Sequence, residues 1–246
     1  MDADANATPT SPEEVDALRR VLERRRAIRD FGPTPLPIGA LRAILAEGAL
    51  APSSLGLQPY VLHLVVEPEL RGRVAAVCNG QRAARTAAAL VVVEVGPTVS
   101  ERRIAEGRAY YASAALPPRS REYHLAGLAK VALAHRRWLR PLLGAGRVLL
   151  GWVKPARSLL PLGSQGLRDW GARNAMLAVE GMMLAAAARG IDSCPMEGFD
   201  GAAVARLLGL PRSSAAAVVV AFGYRATEAR IEPRFRRSLA QIVVEH

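Results

Sequence analysis

The stretch "CPMEGFD", Cys194 to Asp200, places an acidic side chain and a glycine directly after an alanine-rich segment. Burying an ionised carboxylate without a partner is strongly unfavourable, so Glu197 is expected in a turn or in a site that uses it. Gly198 permits a tight bend, and Asp200 is predicted to cap a short helix that ends near Gly209. These residues alone leave two interpretations open, a surface turn and a functional loop.

The composition is that of a globular protein with an excess of positive charge. Half of the 246 residues are apolar, which is enough for a large core, and the formal net charge is +11. The cations are nearly all arginine, whose planar guanidinium donates paired hydrogen bonds to phosphate. The charge is therefore compatible with a phosphorylated ligand, nucleic acid or anionic lipid, and composition does not choose between them.

The sequence shows neither a membrane segment nor a secretion signal. Charged residues interrupt the apolar runs before these reach the ~18 residues that a membrane-spanning helix needs. The start, "MDADANATPTSPEE", is acidic and polar, unlike a signal peptide. Cys78 and Cys194 are the only cysteines and have no metal-ligand spacing, so a zinc site or a disulfide framework is not expected. We predict a cytoplasmic protein.

The hydrophobic pattern of the first half predicts helices alternating with strands. Residues 1–11 are predicted to be disordered, and a capping box from Ser11 to Glu14 begins the first helix. The residues expected to form its buried stripe are Val15, Leu18, Val21 and Leu22. A second helix would bury Leu41, Ile44 and Leu45. Strands are predicted at 60–66 and 90–95, with a short helix at 70–77 between them.

The second half contains one strong helix prediction. Residues 167–189 are apolar on nearly all sides and precede Gly190, which is placed to end a helix. Strands are predicted at 215–222 and 241–245. Residues 98–163 are basic and apolar together and are hard to assign. Because no linker divides the chain, we predict a single domain over 12–246 with a mixed α and β sheet.

Two arginine clusters lie near opposite ends of the chain. Arg25, Arg26 and Arg29 belong to "ERRRAIRDF", and Arg234 and Arg236 belong to "EPRFRR". Each cluster fits a solvated surface, and the two together fit a single phosphate site. No catalytic side chain and no metal ligand is predicted.

Five stretches of the chain form a collinear pattern: "RRRAIRDF", "APSSLGLQPY", "GQ" before "ALVVV", "LRDWGARNAMLAVEGMMLAAAARGIDSCPMEGFD" and "EPRFRR". In this order they resemble the nitroreductase family of FMN-dependent NAD(P)H oxidoreductases. The resemblance covers about residues 15–95 and 165–246, and "GIDSCPMEGFD" is its most specific part. It implies an α+β fold with a mainly antiparallel central sheet flanked by helices. It also implies an intertwined homodimer that binds two FMN molecules at its interface.

The resemblance assigns the candidate site residues to parts of FMN. Around the phosphate it places Arg25, Arg26, Ala27, Arg29, Arg234 and Arg236. Along the ring and ribityl chain, from the partner subunit, it places Pro52, Ser53, Ser54 and Gly56. Gln81 is implied to hydrogen-bond the ribityl chain or the ring edge. Beside flavin N5 it places Pro195, Met196, Glu197 and Gly198. Ala27 and Gly56 depart from the serine and asparagine that are common in the family.

The function that the resemblance implies is hydride transfer from NADH or NADPH through flavin N5 to a small acceptor in a ping-pong cycle. Nitroaromatics, quinones and enones are the expected acceptors, and neither nucleic acid nor an integral membrane segment is expected. One alternative is a specialised flavoenzyme of the same fold, such as a biosynthetic dehydrogenase or a reductive dehalogenase. Another is a flavin-free protein that uses its basic surface to bind nucleic acid or membrane.

Overall fold

A four-stranded antiparallel sheet forms the centre of the structure, a computed structural model that describes residues 11–135 and 166–246. The strands are β1 (Tyr60–Val65), β2 (Ala89–Val95), β3 (Asp192–Met196) and β4 (Ala215–Gly223). They are arranged in the order β1-β2-β4-β3, and every neighbouring pair is antiparallel. All of β2 is buried, as its valine-rich sequence favours for a strand covered on both faces. The predicted mainly antiparallel sheet is confirmed.

Helices surround the sheet along the described chain. Their bounds are α1 (Pro12–Arg24), α2 (Ile38–Gly48), α3 (Pro68–Ala76), α4 (Arg82–Thr86), α5 (Pro97–Ser113), α6 (Pro118–His135), α7 (Leu167–Ala188), α8 (Gly201–Leu207) and α9 (Leu239–Ile242). A single 3-10 turn, Ser54–Gly56, follows α2. Within the described residues, no helix is long and apolar enough to cross a membrane.

The core has two layers, one on each face of the sheet, and a smaller third cluster. On one face α2 and α7 pack against the sheet through residues such as Ile44 and Met182. On the other face Ile28, Val74 and Val204 belong to the buried layer. Helices α5 and α6 form a hairpin, and its cluster includes Leu128. The hairpin occupies much of the region that was hard to assign from sequence, and residues 136–163 of that region lie outside the described residues.

Several predicted elements are confirmed. Ser11 and Glu14 make both hydrogen bonds of the capping box that begins α1. Helix α7 ends at Ala188, and Gly190 adopts the left-handed φ of +71° that glycine favours at a helix C-terminus. Asp200 caps α8, as predicted. Of residues 1–11, which were predicted to be disordered, 1–10 lie outside the described residues and Ser11 is the N-cap of α1.

The predicted buried stripe of α1 is wrong for the single chain. Val15, Leu18 and Leu22 are 49%, 56% and 44% exposed, and no residue of α1 is buried. The helix contacts α7, but the stripe does not enter the core of its own chain. The apolar spacing identified an amphipathic helix correctly and could not indicate what covers its apolar face.

Two strand assignments also differ from the prediction. Residues 241–245 do not form a strand, because a capping box between Ser238 and Gln241 begins the one-turn helix α9. Strand β3 was not predicted from sequence, where the stretch from Cys194 was left open between a surface turn and a functional loop. It lies at the edge of the four-stranded sheet next to β4, and a proline without an N–H is tolerated at such an edge.

The closest helix crossing in the core provides a test of the packing. A Cβ at Gly48 would lie 2.2 Å from Met182 Cγ and 2.9 Å from the Ala178 carbonyl oxygen. We expect Gly48→Ala to lower the free energy of unfolding by about 1–3 kcal/mol, because α2 and α7 cannot separate without losing core contacts. Gly39→Ala is the matched control on the same helix, since a Cβ there meets nothing within 4 Å. Urea unfolding should distinguish the two variants, and equal stability would contradict the packing.

Candidate functional site

The first arginine cluster lies in an extended segment along the edge of the sheet. The Ile28 N–H donates to the Ser193 carbonyl oxygen at 3.1 Å, and Ala27 forms a parallel bridge with Ser193. Further along, the Gly32 N–H donates to the Tyr224 carbonyl oxygen at 2.8 Å. Strand β3 therefore has the arginine segment on its free side, close to the point where the "PMEG" turn begins.

An ion pair between a buried carboxylate and a partly exposed guanidinium holds this edge together. The Asp192 carboxylate accepts from Arg225 Nε at 2.8 Å and Nη2 at 2.7 Å, and from the Arg225 backbone N–H at 3.2 Å. The hydrogen bond to Asp192 raises the pKa of Arg225, against an opposing effect of desolvation. This pair was not predicted from sequence, because Asp192 and Arg225 are 33 residues apart. The only local signal is an aspartate at the start of a strand, which weakly indicates a carboxylate that needs a partner.

The second arginine cluster meets the first at the C-terminal end of α1. Arg234 Nη2 donates to the carbonyl oxygens of Glu23 and Arg25, both at 2.8 Å, and to that of Leu22 at 3.3 Å. In the other direction, Arg26 donates to the Glu232 carbonyl oxygen. The last carbonyls of a helix have no partner within the helix and carry partial negative charge, so a guanidinium binds well there.

These contacts surround a cavity of about 170 Å³. Its cationic lining residues are Arg25, Arg26, Arg29, Arg234 and Arg236, and the rest of the lining is Ala27, Ile231, Glu232, Pro233 and Phe235. The structure thus brings both predicted arginine clusters to one place. Five guanidinium groups against one lining carboxylate make the cavity suitable for an anion.

The arginines of the cavity differ in their hydrogen-bond and ion-pair partners. Arg25 lies 3.7 Å from Glu180 of α7, and its side chain is 17% exposed. Partial desolvation, followed by the charges of Arg26, Arg25 and Arg236, lowers the pKa of Arg234. Among the described residues, Arg29 makes no hydrogen bond or ion pair. Arg29 is therefore the guanidinium most available to an incoming anion.

The "PMEG" turn is fixed through its backbone. Gln81 Nε2 donates to the Gly198 carbonyl oxygen at 2.6 Å, so the structure places Gln81 beside the Glu-Gly pair. The Asp200 carboxylate accepts from two N–H groups of α8, at 2.9 and 3.0 Å. Met196 is buried, whereas Pro195 and Glu197 are exposed. Glu197 is thus a solvent-facing carboxylate, and its side chain has no hydrogen-bond partner among the described residues.

The "APSSLG" residues lie elsewhere in the same chain. Pro52, Ser53, Ser54 and Gly56 are absent from the cavity lining. The Ser53 hydroxyl accepts from the Gln58 N–H at 2.9 Å, and the Ser54 N–H donates to Asn174 Oδ1 of α7 at 2.7 Å. Asn174 is buried and was not identified from sequence. One chain therefore carries two separate groups of the predicted site residues.

The α5–α6 hairpin packs against the "APSSLG" turn. A Cβ atom at Gly107 would lie 2.8 Å from Leu57 Cδ2, and one at Gly127 would lie 2.7 Å from Leu55 Cδ2. The two glycines therefore leave the space that these leucine side chains occupy. The Tyr111 hydroxyl donates to the Leu55 carbonyl oxygen at 3.2 Å. The hairpin and the turn therefore form one packed unit.

Aromatic rings concentrate on the hairpin beside this contact. Tyr111 stacks on His124 with a centroid distance of 4.1 Å and an interplanar angle of 3°. Tyr110 and Tyr123 approach this stack edge-on and are 62% and 69% exposed. Three of the chain's five tyrosines lie here, in the region that sequence reasoning left unassigned.

Comparisons with known proteins identify a family and a shared fold. The nitroreductase family model matches residues 22–224. An NADH dehydrogenase of Thermus thermophilus is 27% identical over 221 residues, which cover 90% of this chain and 92% of that protein. The structure of an Exiguobacterium sibiricum protein in complex with FMN has a TM-score of 0.68 at 18% identity, covering 98% of this chain and 99% of that one. An enone reductase of gut-bacterial fatty acid saturation has a TM-score of 0.66 at 18% identity, covering 93% and 97%.

The two cysteines allow a test of this edge of the sheet. Both are free and buried, and burial raises the pKa of Cys78 to about 11. Burial also raises the pKa of Cys194, against an opposing effect of the Arg29 charge. Since only the thiolate reacts, both buried thiols should resist a disulfide reagent in the folded protein near neutral pH, and Cys78 should resist it until the pH approaches 11. Both should react after unfolding in urea, and rapid reaction of either thiol in the folded protein near neutral pH would contradict this arrangement.

Proposed function

Because the chain belongs to the nitroreductase family, we propose that it is an FMN-dependent NAD(P)H oxidoreductase that works in the cytoplasm. The observation that carries the proposal is the arginine-lined cavity beside the "PMEG" turn. A phosphate site and a backbone turn at the same sheet edge suit a cofactor with a phosphate at one end and a heterocycle at the other. The Thermus relative named for NADH and the related fold crystallised with FMN support this choice.

The residues present fit FMN at both ends. Arg25, Arg29 and Arg236 would hold its phosphate, while Gln81 and the backbone of the "PMEG" turn would face the ring. The bound cofactor would supply hydride transfer at N5, from NADH or NADPH to a nitroaromatic, quinone or enone, in a ping-pong cycle. The chain's own part is to bind, to orient and to direct a fixed N–H dipole at the ring.

A homodimer would complete the site. Pro52, Ser53, Ser54 and Gly56 lie apart from the arginine cavity of their own chain, so a second copy is the natural source of these groups. The apolar stripe of α1 and Leu177 of α7 are exposed in the single chain. Covering them with a second copy would remove apolar surface from water at each end of the interface.

A second candidate is a specialised enzyme with the same cofactor, and the α5–α6 hairpin favours it. The hairpin packs on the "APSSLG" turn and exposes tyrosine rings next to it. Exposed, closely grouped rings can stack on a planar acceptor. Such a surface would let the enzyme prefer one class of aromatic substrate over generic acceptors.

The visible absorption spectrum of the purified protein tests the cofactor assignment. We expect the absorption bands of bound FMN, which should bleach when NADH or NADPH is added without oxygen. A colourless protein that neither binds added FMN nor oxidises NAD(P)H would contradict the proposal.

The arginine variants test where the phosphate binds. Replacing Arg25 or Arg29 with alanine removes charge-assisted hydrogen bonds, so we expect FMN affinity to fall roughly tenfold to a hundredfold. The surface variant Arg102→Ala is the control, since Arg102 is exposed on α5, lies outside the cavity lining and forms an ion pair with Glu106. Affinities would be measured by flavin fluorescence. Affinities of both variants equal to that of the control would contradict the phosphate site.

The tyrosine variants test the second candidate. If the exposed rings stack on the acceptor, Tyr110→Ala and Tyr123→Ala should raise the KM for a nitroaromatic or quinone about twofold to tenfold. Turnover with ferricyanide and FMN affinity should be unchanged, because neither depends on stacking. Wild-type KM values for the aromatic acceptors in both variants would exclude the hairpin from acceptor binding. If no generic acceptor is turned over at a measurable rate while NAD(P)H still reduces the bound FMN, the specialised enzyme is favoured.

A further inference from the structure

The short helix α4 contacts both ends of the candidate site. Its N-cap residue, Gln81, donates to the Gly198 carbonyl oxygen of the "PMEG" turn at 2.6 Å. The next residue, Arg82, forms an ion pair with Asp30 at 2.8 Å, and Asp30 directly follows Arg29 in the chain. Arg82 itself is not among the described residues that line the arginine cavity. The start of α4 therefore links the turn at one end of the site to the arginine segment at the other.

The backbone around Asp30 is fixed independently of its side chain. The Asp30 carbonyl oxygen accepts from the Ala226 N–H at 3.1 Å, and the Phe31 N–H donates to Thr86 Oγ1 at 3.0 Å. Among the described residues, Arg82 is the only partner of the Asp30 carboxylate. Without the Arg82 guanidinium the chain would keep its path, and the carboxylate would be left without a partner.

An unpaired carboxylate at this point would compete with an anion for the cavity. The side chain of Asp30 is 20% exposed, so water screens its charge only in part. Arg29 lines the cavity and makes no hydrogen bond or ion pair among the described residues. A guanidinium uses the same pair of donors for a carboxylate and for a phosphate, so Arg29 can bind only one of them at a time. The ion pair between Arg82 and Asp30 removes this competition.

We propose that Arg82 is a positioning residue: by holding the Asp30 carboxylate, it keeps the Arg29 guanidinium free for a phosphate group in the arginine cavity. The proposal rests on the proposed function for the identity of the ligand, the FMN phosphate, but the competition itself requires only a phosphate group. Because Gln81 holds the "PMEG" turn from the same helix, α4 also fixes the arginine segment relative to that turn.

A double-mutant cycle between Arg82 and Asp30 tests the proposal. The full chain, freed of flavin, would be studied at low ionic strength, where charges are least screened. Flavin fluorescence would give the affinity for FMN, and the rise in melting temperature would give the affinity for inorganic phosphate.

The proposal predicts a non-additive cycle. Arg82→Gln should weaken binding of both ligands about twofold to fivefold, the range expected when a partly exposed ion pair is broken. Asp30→Asn should leave both affinities at the wild-type level, because Arg82 already occupies that carboxylate. The double variant should recover wild-type affinity, because no carboxylate is left to bind Arg29. If Asp30→Asn alone tightens binding by the factor by which Arg82→Gln weakens it, the two charges act independently and the proposal is wrong.

Arg85→Gln is the matched control for the loss of charge. Arg85 is exposed on the same helix and has no hydrogen-bond or ion-pair partner in the described part of the chain. Its replacement should leave both affinities near the wild-type values. Equal weakening by Arg85→Gln and Arg82→Gln would show that only the net charge of α4 matters and would overturn the proposal. Weakening by Arg82→Gln that Asp30→Asn does not reverse would make Arg82 a direct ligand of the anion and would overturn it as well.

A conservative substitution guards against misfolding. Arg82→Lys keeps the charge that holds Asp30, so it should retain most of the affinity that Arg82→Gln loses. Equal losses in the two Arg82 variants would contradict the proposal, as would wild-type affinity in Arg82→Gln.

The outcomes remain distinct from those of the proposed function. A protein that binds phosphate but not FMN, with the predicted cycle for phosphate, would refute the flavin assignment alone. A protein with reducible FMN and an additive cycle would refute the role of Arg82 alone. Binding of neither ligand would refute both.

Discussion

The candidate site depends on the ion pair between the buried carboxylate of Asp192 and the guanidinium of Arg225. The carboxylate accepts three hydrogen bonds from Arg225 and so ties the start of β3 to the chain that leaves β4. That edge carries the arginine segment on one side and leads into the "PMEG" turn at its end. Removing Arg225 would leave the buried Asp192 carboxylate without its partner, which is less favourable than losing an ion pair between two exposed side chains. The ion pair between Asp192 and Arg225 therefore positions both the arginine cavity and the "PMEG" turn, although neither residue is part of them.

The proposed phosphate site lies at the C-terminal end of a helix and not at an N-terminus. Many phosphate sites use the N-terminus of a helix, where free N–H groups and the helix dipole favour negative charge. Here the cavity lies at the C-terminal end of α1, where the dipole opposes an anion. Five arginines line the cavity and oppose this effect, and Arg234 donates directly to the carbonyl oxygens at the helix end. The need for several guanidinium groups at one point gives a local reason for part of the chain's excess of arginine.

The described chain exposes apolar side chains on α1 and on its C-terminal segment. An amphipathic helix with its apolar stripe in water and a fully exposed apolar C-terminal segment are both unfavourable in isolation. The separation of the "APSSLG" turn from the arginine cavity has the same implication for the site. The proposed second copy would account for all three features at once.

Local sequence determined the elements whose signals are themselves local. The Ser11–Glu14 capping box, the Asp200 cap and the long apolar helix ending before Gly190 were all predicted, because each depends on residues within a few turns of one another. The resemblance added the family and the candidate residues. Tertiary structure alone decided the rest, since β3 exists by pairing with β4 and the arginine cavity exists by contacts over 206 residues of chain. The strand predicted at 241–245 failed for the same reason: β-prone residues form a strand only where a neighbouring strand accepts their hydrogen bonds.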